Sequence, residues 1–380
     1  MKLGVYIHVP FCRRKCDYCS FYSVPVDPHS PEGRAGLEAY ARTIISEASM
    51  RLPQLPDAVI DTVYFGGGTP SMLEPRQVEN VLSSLRGWAD LEPGAEVTIE
   101  VNPEDSGKVA AFRDAGASRA VLGIQTFDPG MHRAIGRSSS LCGDDHLDSF
   151  FSVKGIVHCA DMIAGIPGQD RAGLVAGLDR LCSRGAKHLS VYLLSIEKST
   201  PLASRMKPGP GAGEEQRALF EAVMDFLAGR GFSHYEISNF ALPGYESRHN
   251  MKYWKFRPYL GLGPGAHSFI DGRRIMNVTG AGDYACSGGF SYEEDVRGKN
   301  SAAVEYLMTG LRLLEGVSVG EMESRTGFRL TPGMLARIDS LEKRGLVVLS
   351  GKGMDMTVRL SREGIFLSDG VIYEIVEELL

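Results

Sequence analysis

The 380-residue sequence lacks several features that would assign it to a broad class of protein. It has no run of 18 apolar residues, and the apolar part of its N-terminus is too short for a signal peptide, so we expect a cytoplasmic protein. It has no excess of positive charge, since the formal net charge is -6, which argues against nucleic acid or anionic lipid as a partner. Its seven cysteines are an odd number, which argues against a disulfide framework.

Short apolar runs alternate with helical patterns over the first 236 residues. Such alternation favours parallel strands joined by right-handed crossovers. The six predicted strands are Val5–Val9, Thr62–Phe65, Val97–Val101, Ala120–Ile124, Val157–Ile163 and Leu189–Leu194. Six strand–helix units predict an α/β fold with an incomplete (β/α)6 barrel over residues 1–236, with an open doubly wound sheet as the alternative.

The pattern changes after the predicted barrel. Residues 237–300 are rich in Gly, Asn, His and Tyr and are expected to form an irregular extension. Over residues 301–380, three helical periods and two strands predict a C-terminal winged-helix-like α+β domain. Domains of this shape often bind DNA, but the basic residues here are interleaved with acids, so we expect a packing role and no nucleic-acid partner.

Three cysteines lie within eight residues in the segment FCRRKCDYCSF. Thiolates on one loop, here Cys12, Cys16 and Cys19, can hold three irons of a [4Fe–4S] cluster and leave the fourth iron open. A structural zinc site needs four ligands, and no later Cys-x2-Cys pair exists. The spacing therefore favours an iron–sulfur cluster over a zinc site. The other cysteines, at positions 142, 159, 182 and 286, are expected to be small buried residues.

Glycines or polar residues also follow the other predicted strands. They are Gly66–Pro70 after the second strand, Glu100 after the third, Gln125 after the fourth, Asp161 within the fifth and Ser195 after the sixth. Because ligands collect at the C-terminal ends of the strands in a parallel barrel, these groups predict one site on one rim.

The cysteine spacing, with an aromatic residue before the last cysteine, resembles the signature of the radical-SAM superfamily. The sequence resembles the HemN/HemW group in particular, through YIHVPFC, YFGGGTPS, EVNPE, GIQTF, IGR, DMIAGIPGQ, LSVYLLSIE, HYEISNFA, RHNMKYW and YLGLGPGAHSF. This resemblance implies S-adenosylmethionine bound to the open iron, where one electron from the cluster cleaves its C–S bond. The implied contacts with S-adenosylmethionine are Tyr6, Gly67, Gly68, Thr69, Glu100, Gln125, Arg137, Asp161, Ser195 and His267.

Three features favour the haem-chaperone branch of this group over the branch of oxygen-independent coproporphyrinogen III oxidase. Phe21 stands where the oxidase has a fourth cysteine, and the chain begins five residues before Tyr6, whereas the oxidase has a long N-terminal segment. The segment RHNMKYW also matches a His-Asn-x-x-Tyr-Trp motif, which by resemblance implies that His249 binds haem.

The resemblance thus implies a chaperone that binds a [4Fe–4S] cluster, S-adenosylmethionine and haem. Its partners would be a haem-acceptor protein, such as a membrane-bound respiratory enzyme, and an electron donor, and a dimer is left open. A coproporphyrinogen III dehydrogenase, which decarboxylates propionate side chains, is the main alternative, and a haem-opening radical methyltransferase is another. Whether the protein is an enzyme stays open, and no catalytic residue is assigned.

One segment departs from the group. Ser139 stands where the group usually has a histidine, and the residues that follow it are poor helix formers. We therefore expect a short or displaced fourth helix, which leaves the placement of Arg137 open.

Overall fold

A computed structural model describes residues 1–207, 211–280, 282, 284, 292–296 and 298–380, with the backbone alone for 292–296. Cys286 and the middle of the Pro/Gly-rich stretch 207–213 lie outside the described residues. No helix in the described ranges is both long enough and apolar enough to cross a membrane.

Most of the strands belong to one central sheet. The strands are β1 Lys2–Val9, β2 Phe11–Cys12, β3 Val24–Pro25, β4 Val59–Gly67, β5 Asp90–Val101, β6 Arg119–Gln125, β7 Val157–Ala164, β8 His188–Leu193, β9 Ser233–Glu236, β10 Asn239–Ala241, β11 Tyr259–Leu262, β12 His267–Ile270, β13 Arg273–Asn277, β14 Tyr292–Val296, β15 Val317–Ser318, β16 Val347–Ser350 and β17 Thr357–Leu360.

The central sheet has twelve strands in the order β14-β13-β12-β11-β1-β4-β5-β6-β7-β8-β10-β9. The strands from β11 to β8 run parallel, and those outside them at each edge are antiparallel. All six predicted strands are confirmed, and they lie side by side in chain order. That order is typical of a (β/α) barrel, because a doubly wound sheet reverses its strand order. Within the described residues β14 and β9 do not pair, so the barrel is incomplete, as predicted.

The two faces of the sheet differ in chemistry, because successive residues of a strand face opposite sides. On the convex face Val5, Val63 and Val97 are neighbours in register, and none is more than 3% exposed. On the concave face the neighbouring rung has Tyr6, Tyr64, Thr98 and Arg119. The apolar face packs against helices, and the interior of the barrel is polar.

Helices follow most of the parallel strands, and other helices follow the edge strands or lie in the C-terminal part. They are α1 Pro31–Arg51, α2 Pro75–Trp88, α3 Val109–Asp114, α4 Pro129–Ala134, α5 Asp144–Phe151, α6 Arg171–Ser183, α7 Pro201–Arg205, α8 Ala212–Gly229, α9 Arg248–Trp254, α10 Lys299–Gly310, α11 Val319–Thr326, α12 Pro332–Lys343, α13 Arg362–Phe366 and α14 Ser368–Val376. α2 buries its aliphatic residues at helical spacing on the convex face, and each fully buried side chain stabilises the fold by about 2 kcal/mol. α5 has only eight residues, which agrees with the short helix expected in the atypical segment.

The segment after the predicted barrel is more regular than its composition indicates. Instead of an irregular extension, residues 237–300 contain the strands from β10 to β14 and the helix α9. β11 pairs in parallel with β1 and so adds a strand to the barrel wall. The domain boundaries at 236 and 300 stay a prediction.

The C-terminal part has its own core. α10, α11 and α12 precede a three-stranded sheet of order β15-β17-β16, which matches the predicted helices and β-wing. Buried residues such as Leu307, Ile338 and Val358 form this core. Three of its basic residues make ion pairs with acids, namely Arg337 with Glu378, Lys343 with Asp339 and Arg344 with Glu374.

Candidate functional site

A cavity of about 350 Å³ opens at the C-terminal ends of the parallel strands. Most of the residues that the sequence predicts for the site contribute to its wall. Those lining it are Cys19, Gly67, Gly68, Thr69, Glu100, Gln125, Arg137, Asp161 and Ser195. Phe21 is also part of the wall, although 66% of its surface is exposed, so it lies at the mouth.

The cysteine loop follows β1 and includes the short strand β2. The Thr69 hydroxyl donates to Cys12 Sγ at 3.5 Å, and the Ser138 N–H donates to Cys16 Sγ at 3.3 Å. Burial raises the pKa of Cys12 and Cys19, and the neighbouring Cys16 thiol raises both further. In the described part of the chain, no three His, Cys, Asp or Glu side chains converge closely enough for a single metal ion. Polar donors thus reach the sulfurs of Cys12 and Cys16, and such donors suit thiolates that ligate an inorganic cluster.

The glycine turn after β4 packs directly on the cysteine loop. The Gly68 N–H donates to the Val9 carbonyl at 2.8 Å, and the Thr69 N–H donates to the Phe11 carbonyl at 2.7 Å. A Cβ atom on Gly68 would lie 2.6 Å from the Phe11 carbonyl oxygen and would not fit. Glycine is therefore required here for close approach of the two backbones.

Two carboxylates face each other across the cavity. Burial, and after it the charge of Asp161, raise the pKa of Glu100 to about 7, although a hydrogen bond from Tyr64 opposes both effects. Burial likewise raises the pKa of Asp161 to about 6, opposed by a hydrogen bond from Ser190. One Asp161 oxygen, Oδ1, has no hydrogen-bond partner among the described residues. The pair would be stabilised by a cationic ligand group.

Arg137 brings a buried positive charge to the same cavity. Its guanidinium donates to the Tyr18 hydroxyl at 2.9 Å, the Asn102 side-chain oxygen at 3.0 Å and the Gly123 carbonyl at 2.8 Å. None of these partners is a carboxylate, and its buried Nε has no partner within the described ranges. The guanidinium thus suits an anionic ligand group.

Gln125 has an unusual backbone at the end of β6. Its φ is +69°, in the left-handed region that non-glycine residues rarely adopt. Such strain persists where the surrounding structure enforces it, which is often at a binding site. Ser195, on the opposite side, donates to the Glu197 carboxylate at 2.9 Å.

Five predicted site residues do not line the cavity, namely Cys12 and Cys16 of the cysteine loop, Tyr6, His249 and His267. Tyr6 lies below it on the concave face, where its hydroxyl is 3.0 Å from His8 Nδ1. His267 is exposed at the start of β12. His249 lies at the base of the barrel on α9, fully buried. Conversely, Asn102 and Tyr192 line the cavity but were not predicted, although both lie in motifs at strand ends.

Both ring nitrogens of His249 are engaged. Nδ1 lies 2.9 Å from the Thr62 hydroxyl, and Nε2 lies 2.8 Å from the Tyr253 hydroxyl. Burial, and after it the charge of Lys252, lower the pKa of the ring to about 3, so the imidazole is neutral.

Comparison with known proteins agrees with the fold. The model of the Radical SAM superfamily matches residues 6–181, and the model of the HemN C-terminal domain matches residues 299–367. The coproporphyrinogen III oxidase HemN from Escherichia coli has a similar structure, with a TM-score of 0.81 over 99% of this chain and 90% of that chain at 19% identity. At that identity, the likeness shows the fold.

Curated relatives are more similar in sequence. The heme chaperone HemW of Lactococcus lactis is 32% identical over 85% of this chain and 84% of that protein. The HemW of Bacillus subtilis is 30% identical over 99% of this chain and 100% of that protein. The chain therefore belongs to the HemW family within the radical SAM superfamily.

Proposed function

We propose that the protein is a haem chaperone of the HemW type, which binds a [4Fe–4S] cluster, S-adenosylmethionine and haem and transfers the haem to an acceptor protein. The observation that carries this proposal is Phe21. An exposed aromatic ring lies at the mouth of the cavity, at the position where the oxidase branch has a fourth cysteine. Such a ring can stack on a porphyrin face.

Membership in the radical SAM superfamily implies the cluster and S-adenosylmethionine. The residues fit both groups. Cys12, Cys16 and Cys19 would hold three irons, with Thr69 and Ser138 donating hydrogen bonds to the sulfurs. When bound, the reduced cluster would give one electron to S-adenosylmethionine and so cleave one of its carbon–sulfur bonds.

Charge complementarity supports S-adenosylmethionine as the ligand of the cavity. The molecule has a sulfonium, an ammonium and a carboxylate. Glu100 and Asp161 would bind the ammonium or the ribose, and Arg137 would bind the carboxylate. The remaining cavity contacts would be Gly67, Gly68, Thr69, Gln125 and Ser195. Tyr6 and His267 stay predictions from the resemblance, because neither lines the cavity.

Haem binding by His249 also stays a prediction. Ligation would require the ring to give up its hydrogen bond with Tyr253 or with Thr62. The acceptor protein, the electron donor and a cytoplasmic location belong to the same proposal.

The test begins with anaerobic reconstitution of the cluster. We expect binding of S-adenosylmethionine in equilibrium dialysis and a Soret shift when haem is titrated. Absence of the Soret shift would overturn the chaperone function. Formation of protoporphyrinogen from coproporphyrinogen III in the presence of a reductant would instead assign the protein to the oxidase branch.

A further inference from the structure

A column of aromatic side chains connects the base of the barrel to the cavity. At its upper end the Tyr64 hydroxyl donates to Glu100 Oε1 at 2.8 Å. At its lower end the Tyr64 ring lies 5.3 Å from the His249 ring, at an interplanar angle of 33°. One side chain of β4 thus contacts both a cavity carboxylate and the buried histidine of α9.

The lower end of the column is fixed from several directions. Thr62, two residues before Tyr64 on β4, faces the same side of the sheet and contacts His249 Nδ1. Tyr253, one turn along α9, contacts Nε2. The His249 backbone N–H donates to Glu96 Oε1 at 3.0 Å, so the start of α9 is attached to β5. The imidazole therefore has little freedom to rotate or shift.

The upper end depends on the position of the Tyr64 ring. The hydroxyl makes one hydrogen bond within the described part of the chain, the one to Glu100. Gly66 leaves space for this pair, since a Cβ there would lie 2.7 Å from the Tyr64 ring and 3.2 Å from Glu100 Oε1. The ring itself is held by packing against the rings of Tyr6 and His249.

We propose that His249 is a positioning residue for the cavity, which holds the Tyr64 ring so that its hydroxyl donates to Glu100. This role rests on the proposed binding of S-adenosylmethionine and is separate from any ligation of haem. In this role, the His-Asn-x-x-Tyr-Trp segment supports the cavity wall that contains Glu100.

The experiment measures the dissociation constant of S-adenosylmethionine by equilibrium dialysis with anaerobically reconstituted protein. Tyr64→Phe removes the hydroxyl alone, and His249→Gln removes the ring that supports Tyr64. We expect each variant to bind about tenfold more weakly, because Glu100 loses the hydrogen bond that holds its carboxylate towards the ligand. The double variant should be no weaker than either single one, because both changes remove the same contact. Thr62→Val should have a smaller effect in the same direction.

A matched control is His158→Gln. His158 is also a buried histidine, 9% exposed, but it packs on Phe150 on the convex side of the sheet. Its substitution should leave the dissociation constant unchanged. Iron content, measured for every variant, separates loss of the cluster from loss of the ligand.

The outcomes separate the two proposals. Wild-type protein that binds no S-adenosylmethionine overturns both the proposed function and the positioning role. If the wild type binds and His249→Gln binds equally well, the positioning role alone fails. The positioning role also fails if the fold-changes in the dissociation constant for Tyr64→Phe and His249→Gln multiply in the double variant. Should His249→Gln not fold, Tyr64→Phe and Thr62→Val still decide the question, since both keep the shape of the side chain.

Discussion

Arg13, between the first two cysteines, forms a bidentate ion pair with Asp105. The two guanidinium nitrogens lie 3.0 and 2.9 Å from the carboxylate oxygens, and Asp105 is 4% exposed. Asp105 also accepts a hydrogen bond from Ser71 at 2.8 Å. This pair ties the cysteine loop to the segment after β5, so the loop does not depend on a bound group alone for its position.

We expect Asp105→Ala to lower the free energy of unfolding by about 2 kcal/mol, because Arg13 keeps only its ion pair with Glu104 and the Ser71 hydroxyl loses its acceptor. Reconstituted protein should also retain less iron, since Arg13 lies inside the cysteine loop. Urea unfolding and iron content check both effects. Asp339→Ala is the control, because its pair with Lys343 is exposed and its loss should change neither quantity. Equal stability of Asp105→Ala and wild type would contradict the role of the pair.

The glycine turn provides a second prediction. Gly68→Ala should destabilise the protein by about 2 kcal/mol, because the new methyl group meets the backbone carbonyls of Val9 and Phe11. Gly87, in α2, is the matched control, since a Cβ there meets no atom within 4 Å. Gly87→Ala should raise stability by about 0.5 kcal/mol, because alanine favours the helix. Thermal unfolding measures the melting temperature of both variants. Similar shifts of the same sign would contradict the close packing of Gly68 on the cysteine loop.

The facing carboxylates predict opposite pH dependences for stability and for binding. Their pKa values are raised to about 7 for Glu100 and about 6 for Asp161, so the folded protein holds protons that the unfolded chain has released. Stability of the ligand-free protein should therefore fall as pH rises from about 4.5 to about 7. Affinity for the cationic S-adenosylmethionine should rise over the same range, as the carboxylates become charged. Urea unfolding measures the stability at each pH, and equilibrium dialysis measures the affinity for S-adenosylmethionine.

Glu100→Gln tests the assignment of this pH dependence. The glutamine side chain is neutral at every pH. The rise in affinity near pH 7, which we assign to ionisation of Glu100, should therefore be absent in the variant. An unchanged profile would assign the dependence to another group.

The strained backbone of Gln125 gives a fourth prediction. Gln125→Gly should raise the free energy of unfolding by about 1 kcal/mol, because glycine adopts a positive φ without strain. The same change should weaken binding of S-adenosylmethionine, because the side-chain amide is lost from the cavity wall. Gln125→Asn separates the two effects, since asparagine keeps an amide and tolerates this conformation better than glutamine. A destabilised Gln125→Gly protein would show that the conformation is not strained.

Phe21 gives a fifth prediction, which rests on the proposed function. Because 66% of the residue is exposed, Phe21→Ala should change stability by less than about 0.5 kcal/mol. Haem affinity should fall about fivefold if the ring stacks on the porphyrin. Haem titration followed at the Soret band measures this change, and Trp88→Ala, which removes another exposed aromatic residue, is the control. Equal haem affinity in wild type and Phe21→Ala would remove the main support for the chaperone assignment.

The parts of the fold that follow from local pattern were predictable from the sequence. The six central strands are continuous apolar or alternating runs, and the cysteine spacing depends on neighbouring residues alone. The strand β11 was not predictable, because Tyr259–Leu262 is only four residues long and lies in a glycine-rich segment. Its pairing with β1, more than 250 residues earlier, is decided by tertiary packing.

The same distinction applies to the site. Residues at strand ends, such as Glu100 and Gln125, could be assigned to one rim because parallel strands end together. The surroundings of His249 could not be predicted, because Thr62 and Tyr64 approach it from a distant strand. A motif in the sequence identifies a histidine but says nothing about whether its ring nitrogens are already occupied.

The division of the sheet into an apolar convex face and a polar concave face has an evolutionary consequence. The residues that form the apolar core and those that face the cavity alternate along the same strands, so the residues at the strand ends can vary while the convex core is unchanged. Mutations that exchange concave residues would replace one chemistry with another while the helices stay packed on an unchanged core. For protein engineering, the C-terminal ends of β4 to β8 thus offer inward-facing positions that can be randomised to give the barrel a new reaction.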